Sequence, residues 1–280
     1  MVRTVLGLGA AALFTGVAAG QINVVNNNSP VALSNALAPL GGGINITSMS
    51  VFGHSLGSGE MSTGIYNVAG PNNYGLVGGG IVLSSGNAAA YSSGPNTSSG
   101  FTTNYGNPGG GGAGVPATPA QDAALSTISG FPTHYDVTEI NISFTADPGV
   151  NTVGFNVIFG SDEYQEYQGS QFIDAFGVFL NGSNVAFYNS LPININHPNM
   201  MDVPETELDG ILRSNNAVPY FQVIVPLNPN ISTHSLTFML GDTSDGVLDT
   251  TVYLSSLAIP APAAACPLAM GAMFAMRRRR

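Results

Sequence analysis

Period-two alternation of apolar residues, repeated through the second half of the chain, constrains the fold more than any other feature. Ile140, Ile142 and Phe144 form one set, Val153, Phe155, Val157 and Phe159 a second, and Phe172, Phe176, Val178 and Leu180 a third. Successive side chains of a strand point to opposite faces, so each set predicts a strand with one buried side. Asn181-Gly182 separates Ala175–Leu180 from Ser183–Tyr188, and both residues accept the positive φ that a two-residue hairpin demands. Later strands are expected at Phe221–Val225, Leu236–Leu240 and Thr251–Ile259, and earlier ones at Ile44–Val51 and Gly80–Leu83.

Helix is scarce. Within Asn26–Leu40, Ser29 is placed to cap, Pro30 suits a first helical position, and Leu33 and Leu37 share a face. A second short helix is expected from Thr118-Pro119, carrying Leu125 and Ile128 inward. The chain holds 36 Gly and 18 Pro against 16 acidic and 6 basic residues, a balance suited to strands joined by many turns. Roughly nine or ten short strands without a repeated βαβ spacing predict an all-β fold, an antiparallel two-sheet sandwich of jelly-roll type. From Tyr91 to Ala120 the sequence turns to Gly, Ser, Asn, Thr and Pro, with Gly109–Gly112 consecutive, and reads as a long surface loop inside one domain. The strands before it are too few to close a core alone.

Charge excludes one class of partner. There is no Lys, and between residues 20 and 260 all 16 carboxylates face Arg213 alone. Such a field repels phosphate backbones, so nucleic acid is not a partner. The lone Cys266 permits no intramolecular disulfide.

The two ends read as addresses. Arg3, the apolar run Val5–Val17 and the small residues of Val17-Ala18-Ala19 predict a signal peptide over 1–20, removed by signal peptidase. At the other end, 259–280 contains Pro260 and Pro262, an uncharged run from Ala263 to Met276, and Arg277, Arg278, Arg279 and Arg280. Those 14 residues would span about 21 Å as helix, short of the roughly 30 Å hydrocarbon core. The basic cluster holds the tail at the cytoplasmic side, leaving the acidic domain outside as a transient membrane tether. This segment resembles the PEP-CTERM class of bacterial sorting tails, with Ala261 where that motif carries Glu; the resemblance implies an exosortase-like partner.

Chemistry concentrates in two acidic loops. The first, Phe159–Tyr167 and onward, carries Asp162, Glu163, Glu166 and Asp174 after a strand; the second carries Asp242, Asp245 and Asp249 between two strands. Crowded carboxylates repel one another unless protons or a cation neutralise them, and Ca²⁺ is the cation such hard oxygen ligands suit. Asp and Ser satisfying the turn backbone are the structural alternative. Tyr164 and Tyr167 beside these acids are placed to stack on sugar rings, and a pair such as Asp162 and Glu163 would serve a glycan hydrolase if both faced a cleft. Gly53-His54-Ser55-Leu56-Gly57 matches a hydrolase elbow by letters, but the glycines that follow Ser55 do not start a helix.

Gly79–Asn87, Phe159–Tyr164, Gln171–Gly182 and the Gly241-Asp242 loop together resemble the choice-of-anchor L domain, over about Val31 to Leu257. The resemblance implies one domain over 21–258, with the Gly-rich stretch internal, and a protein carried on alternative surface-sorting tails. It supplies no catalytic residues. The expectation is an exported, surface-sorted, non-enzymatic β-sandwich serving as a matrix or adhesion component, with an extracellular polysaccharide-binding module as the alternative.

Overall fold

A computed structural model describes residues 22–39, 42–91, 96–97, 100–108, 112–202, 206–215 and 218–259. The expected signal peptide and the sorting tail with Pro260, Pro262, Cys266 and Arg277–Arg280 lie outside the described residues.

The strands are β1 Ile22–Asn26, β2 Ile44–Phe52, β3 Thr63–Val68, β4 Gly79–Ser84, β5 His134–Ala146, β6 Thr152–Ser161, β7 Ala175–Leu180, β8 Ser183–Asn184, β9 Phe187–Tyr188, β10 Leu191–Asn194, β11 Met200–Asp202, β12 Gly210–Leu212, β13 Phe221–Pro226, β14 His234–Thr243 and β15 Thr250–Ser255. The helices are α1, Pro30–Leu37, and α2, Pro119–Ser129. One sheet runs β1-β3-β4-β15-β6-β12-β11 with β13 also on β6; the other runs β2-β5-β14-β7-β10-β9 with β8 on β7. These strand pairings are antiparallel, and the fold is a two-sheet β-sandwich.

The alternating residues meet between the sheets. Val153, Phe155, Val157, Phe159, Val252 and Leu254 of one sheet pack on Ile140, Ile142, Phe144, Val178, Phe238 and Leu240 of the other. Phe155 and Phe238 meet edge to face at 5.4 Å, a favoured geometry for their ring quadrupoles. The first sheet is buried on its outer side too: Tyr66, Val82, Ile158 and Tyr253 pack under Tyr74, Leu76, Tyr91 and Leu208 from loops. That is why β4 lacks alternation. On the second sheet's outer face, α2 lays Leu125 and Ile128 on Val137, Ala175 and Met239. A reciprocal capping box between Thr118 and Gln121 starts α2, and Gly130 in the left-handed region ends it. Ser29 caps α1, whose Leu33 and Leu37 enter the central core.

Three expectations need correction. Phe172 stands outside β7, which begins at Ala175, and Ser183–Tyr188 divides into β8 and β9 because Asn184 Oδ1 accepts from the Ala186 N–H and bends the chain. The Gly-rich segment is not wholly at the surface: Tyr91, Asn104 and Tyr105 are buried within it, while Gly106, Asn107 and Pro108 are exposed.

The strand registers define two poles. Ile22 pairs with Val68, Ser255 with Gly80, and Ala258 with Gly154, so both ends of the described domain leave from one pole. At the other pole Thr250 pairs with Ser161, Thr243 with His134 and Gly241 with Ala175, and the acidic loops and the Gly-rich segment gather there.

Candidate functional site

Six carboxyl groups converge on that second pole with almost no exposure: Asp136, Asp162, Glu163, Asp174, Asp242 and Asp249 are each at most 2% accessible. Each sits at the end or beginning of a core strand, where the apolar filling gives way to loop backbone. In a chain without Lys, their charge is met by other means.

The Gly-rich segment supplies them. Asp162 Oδ2 accepts from the Phe101 N–H at 2.6 Å and Oδ1 from the Asp209 N–H at 3.2 Å. Both oxygens of Asp249 accept from the Thr103 N–H at 3.0 Å. Asp136 Oδ1 accepts from the Val115 N–H at 2.7 Å and Oδ2 from the Tyr105 N–H at 3.4 Å. Glycines permit this closeness. A Cβ on Gly86 would fall 1.6 Å from Asp249 Oδ2, and one on Gly114 would fall 2.0 Å from Asp136 Oδ2. The segment is thus a strap of backbone donors lying over buried acids, which fits its side-chain-poor composition.

Asp174 is held from the opposite side: Oδ1 accepts from the Thr243 N–H at 2.9 Å and Oδ2 from the Thr250 hydroxyl at 2.5 Å, itself 2.8 Å from Ser161 Oγ. Burial pushes the whole group toward the neutral form. It raises Asp162 to about 8, Asp249 to about 7 and Asp136 to about 6, with the backbone donors pulling each back down. Burial likewise raises Glu163 and Asp174, whose carboxyls contact and repel each other when both are charged. Asp242 rises well above the usual range through burial and the neighbouring Asp174 and Asp249 charges. Ser85 lies beside it, but neither Asp242 oxygen makes a hydrogen bond of normal geometry.

Of the acids singled out in the sequence, Asp162, Glu163, Asp174, Asp242 and Asp249 come together. Asp245 is half-buried at the edge, its Oδ1 accepting from the Val247 N–H, with its charge felt by Glu163 and Asp174. Glu166 does not join them. It is exposed and lines a separate polar pocket of about 330 Å³ with Tyr164, Gln165, Asp202 and Asp209. Burial raises the Asp209 carboxyl, the Asn96 amide pulls it down, and the Glu166 and Asp202 charges raise it further. Among the described residues, no three His, Cys, Asp or Glu side chains are arranged to hold a metal ion.

Tyr164 corrects the sugar-stacking expectation. It is only 9% exposed, its hydroxyl donates to the Met200 carbonyl at 3.2 Å, and its ring lies so close on Gly210 that a Cβ there would fall 2.2 Å away. Tyr167 is 38% exposed and packs edge to face on Phe172. Ser55 sits in an isolated bridge with Met61 instead of at a strand-to-helix turn, so the elbow geometry is absent at that position. Asp136, Asp202 and Asp209 were not singled out in the sequence. The signal for Asp136 was its place among strand residues, where an unpaired acid needs a buried donor.

No curated protein matches the chain. One solved structure it resembles is that of CBM51-2 in complex with GlcNAc and INT domains from Clostridium perfringens ZmpB, at 11% identity and a TM-score of 0.19. The match covers 77% of this chain and 41% of that one, and at this TM-score it carries no argument about ligand. Residues 22–259 match the choice-of-anchor L domain, which spans both sheets, the strap and the acidic pole: the chain belongs to that family.

Proposed function

We propose that this protein is an exported, surface-sorted β-sandwich without catalytic activity, serving as an adhesion or extracellular-matrix component that presents its acidic pole outward. The observation that carries this reading is polarity. Ile22 and Ile259 leave the sandwich at one end, while the buried acids and the polar pocket occupy the other. A sorting tail at 259–280 therefore tethers the domain by the pole opposite the buried acids and the pocket of Gln165, Glu166, Asp202 and Asp209. Family membership and the sequence of the two ends support export through signal peptidase and handling by an exosortase-like enzyme. No helix of the described residues is long and apolar enough to cross a membrane.

Extracellular polysaccharide is the second reading, favoured by the outer pocket, where Gln165, Glu166, Asp202 and Asp209 offer acceptors and an amide to sugar hydroxyls. Stacking then falls to exposed Tyr167 and not to Tyr164. The test is expression of the full chain in a bacterium with an exosortase. Cell-surface protease accessibility and binding to polysaccharide-coated surfaces are then compared for the wild type, a variant with Arg277–Arg280 replaced by Ala, and Glu166→Gln/Asp202→Asn/Asp209→Asn. Loss of surface display in the first variant and of binding in the second is expected. Undisturbed display would overturn the sorting role, and undisturbed binding the outward-pole role.

A further inference from the structure

The pole from which the tail leaves holds a pocket of about 230 Å³, between the 147–151 turn that joins β5 to β6 and the 227–233 loop that joins β13 to β14. Leu227 and His234 are its buried lining, 6% and 2% exposed, while Asp147, Asn151, Asn228 and Ser232 stand exposed at its rim. His234 is fixed in both position and proton state. Its ring stacks on Phe144 at 5.3 Å. Asn181 Oδ1 accepts from the Ser235 N–H at 2.9 Å, which turns the Asn181 amide nitrogen toward His234 Nδ1 at 3.1 Å. An amide nitrogen only donates, so Nδ1 accepts and the imidazole is neutral with its proton on Nε2. Burial, which pushes the imidazole pKa down, favours the same neutral form. The Nε2–H has no hydrogen-bond partner among the described residues. A buried donor left open in a pocket calls for an acceptor on a ligand.

The rest of the lining narrows that ligand. Val150 and Ile231 join Leu227 in offering carbon to an apolar group next to the acceptor. The Asp147 carboxyl at the rim, its Oδ1 accepting from the Asn45 amide at 3.1 Å, and the acidic surplus of the chain disfavour an anion. The rim amides, hydroxyl and carboxyl suit ligand hydroxyls. The volume lies below the roughly 300–1,000 Å³ of pockets that enclose drug-sized ligands, so it admits one small unit of a chain. We propose that this pocket binds an N-acetylated sugar unit, whose acetamido carbonyl accepts from the His234 Nε2–H, whose methyl packs on Leu227 and Ile231, and whose hydroxyls meet Asp147, Asn151 and Asn228. One acetamido group supplies both the acceptor and the apolar neighbour that the lining asks for. A glycan held here lies beside the tail exit, giving the tethered end of the domain its own grip on a surface glycan. The site is separate from the pocket of Glu166 and does not rest on the outward-pole reading.

The full chain, nitrogen-labelled and held in a detergent without a sugar headgroup, is titrated with N-acetylglucosamine, glucose and N-acetylalanine methylamide and followed by NMR at the imidazole nitrogens and backbone amides. An Nε2–H tautomer at His234 before any addition is expected, then saturable shifts at His234 and Leu227 with N-acetylglucosamine, at a Kd about tenfold or more below those of the other two probes. His234→Phe, which keeps a ring on Phe144 and removes the donor, is expected to weaken binding about tenfold or more, read at Leu227. Ile231→Asp, on a half-buried loop position, is expected to do the same with little change in Tm, and Glu60→Gln, outside the pocket, to bind as the wild type. No saturable shift at His234, a proton found on Nδ1, or wild-type affinity in both pocket variants overturns the proposal. Equal binding of glucose overturns the acetamido contact, and equal binding of the amide overturns the sugar in favour of a peptide carbonyl. Shifts at the Gln165 side chain report the outer pocket separately, so failure of one site is told apart from failure of the other.

Discussion

Asp136→Asn should reverse the sign of its effect on stability between pH 4 and pH 8. The wild-type carboxyl is buried, titrates near 6 against 3.8 when unfolded, and sits on a residue with φ of +45°. A folded pKa above the unfolded one means that the native state holds a proton the unfolded chain has released. The stability this group contributes is therefore complete below about pH 4 and lost as pH rises through 6. The difference of roughly two pKa units corresponds to about 3 kcal/mol as an upper figure, and about 2 once residual screening at the pole is allowed for. Asn mimics the neutral acid, tolerates the left-handed backbone, and retains one acceptor for the Val115 N–H at 2.7 Å. It places an amide near the Tyr105 N–H at 3.4 Å, a mismatch of about 1 kcal/mol. In EGTA, Asp136→Asn is expected to be about 1 kcal/mol less stable than the wild type at pH 4 and about 1 kcal/mol more stable at pH 8. Asp136→Ala leaves both N–H groups orphaned and puts Ala at positive φ, with a loss of about 3 to 5 kcal/mol at pH 4. Urea denaturation of the three proteins at both pH values decides the matter. If Asp136→Asn is destabilised equally at both, or more at pH 8, the strap holds a carboxylate and not a carboxylic acid, and the reasoning fails.

Three further outcomes follow from the same geometry. Asp249, raised to about 7, adds to the loss, so the wild type in EGTA should become easier to denature as pH rises from 4 to 7; a flat or rising urea midpoint would contradict the burial of these acids. Gly86→Ala forces a methyl onto the Asp249 carboxyl and releases the Thr103 N–H, with an expected loss of about 3 kcal/mol by denaturant unfolding and faster exchange at Thr103. Near-wild-type stability there would mean that the strap is not seated on Asp249. Gly182→Ala at φ of +84°, in an exposed turn with open space around it, should lose only about 1 kcal/mol in the same assay, and a loss several times larger would mean the hairpin carries tertiary contacts.

The sandwich core was legible because its strands expose one face to a different environment from the other. Ile140–Phe144 and Val153–Phe159 alternate, and Asn181-Gly182 marks its turn with φ of +50° and +84°. β3 and β4 were harder. Tyr66 and Val82 face a second buried layer while Ile81 and Leu83 face the central one, so apolar residues follow one another and the period disappears. β1, β11 and β12 are too short, or too close to the expected signal peptide, for periodicity to register. The acidic pole was half legible: crowded carboxylates announced that something must neutralise them, and five of the seven proposed ligands do gather. What satisfies the oxygens of four of the buried acids is largely backbone N–H, and a backbone donor leaves no letter in the sequence. The strap was misread for the same reason. Gly, Ser, Asn and Thr look like solvated loop, yet at Gly114 within the strap, and at Gly86 and Gly246 in the loops beside it, the missing Cβ is what lets an acid approach the chain closely. In a chain without Lys, a Gly-rich segment and an excess of Asp are therefore complementary parts: the first offers unobstructed N–H groups, the second needs them. Asp242, whose two enclosed oxygens find no hydrogen bond of normal geometry even with Ser85 beside it, is where that pairing runs out.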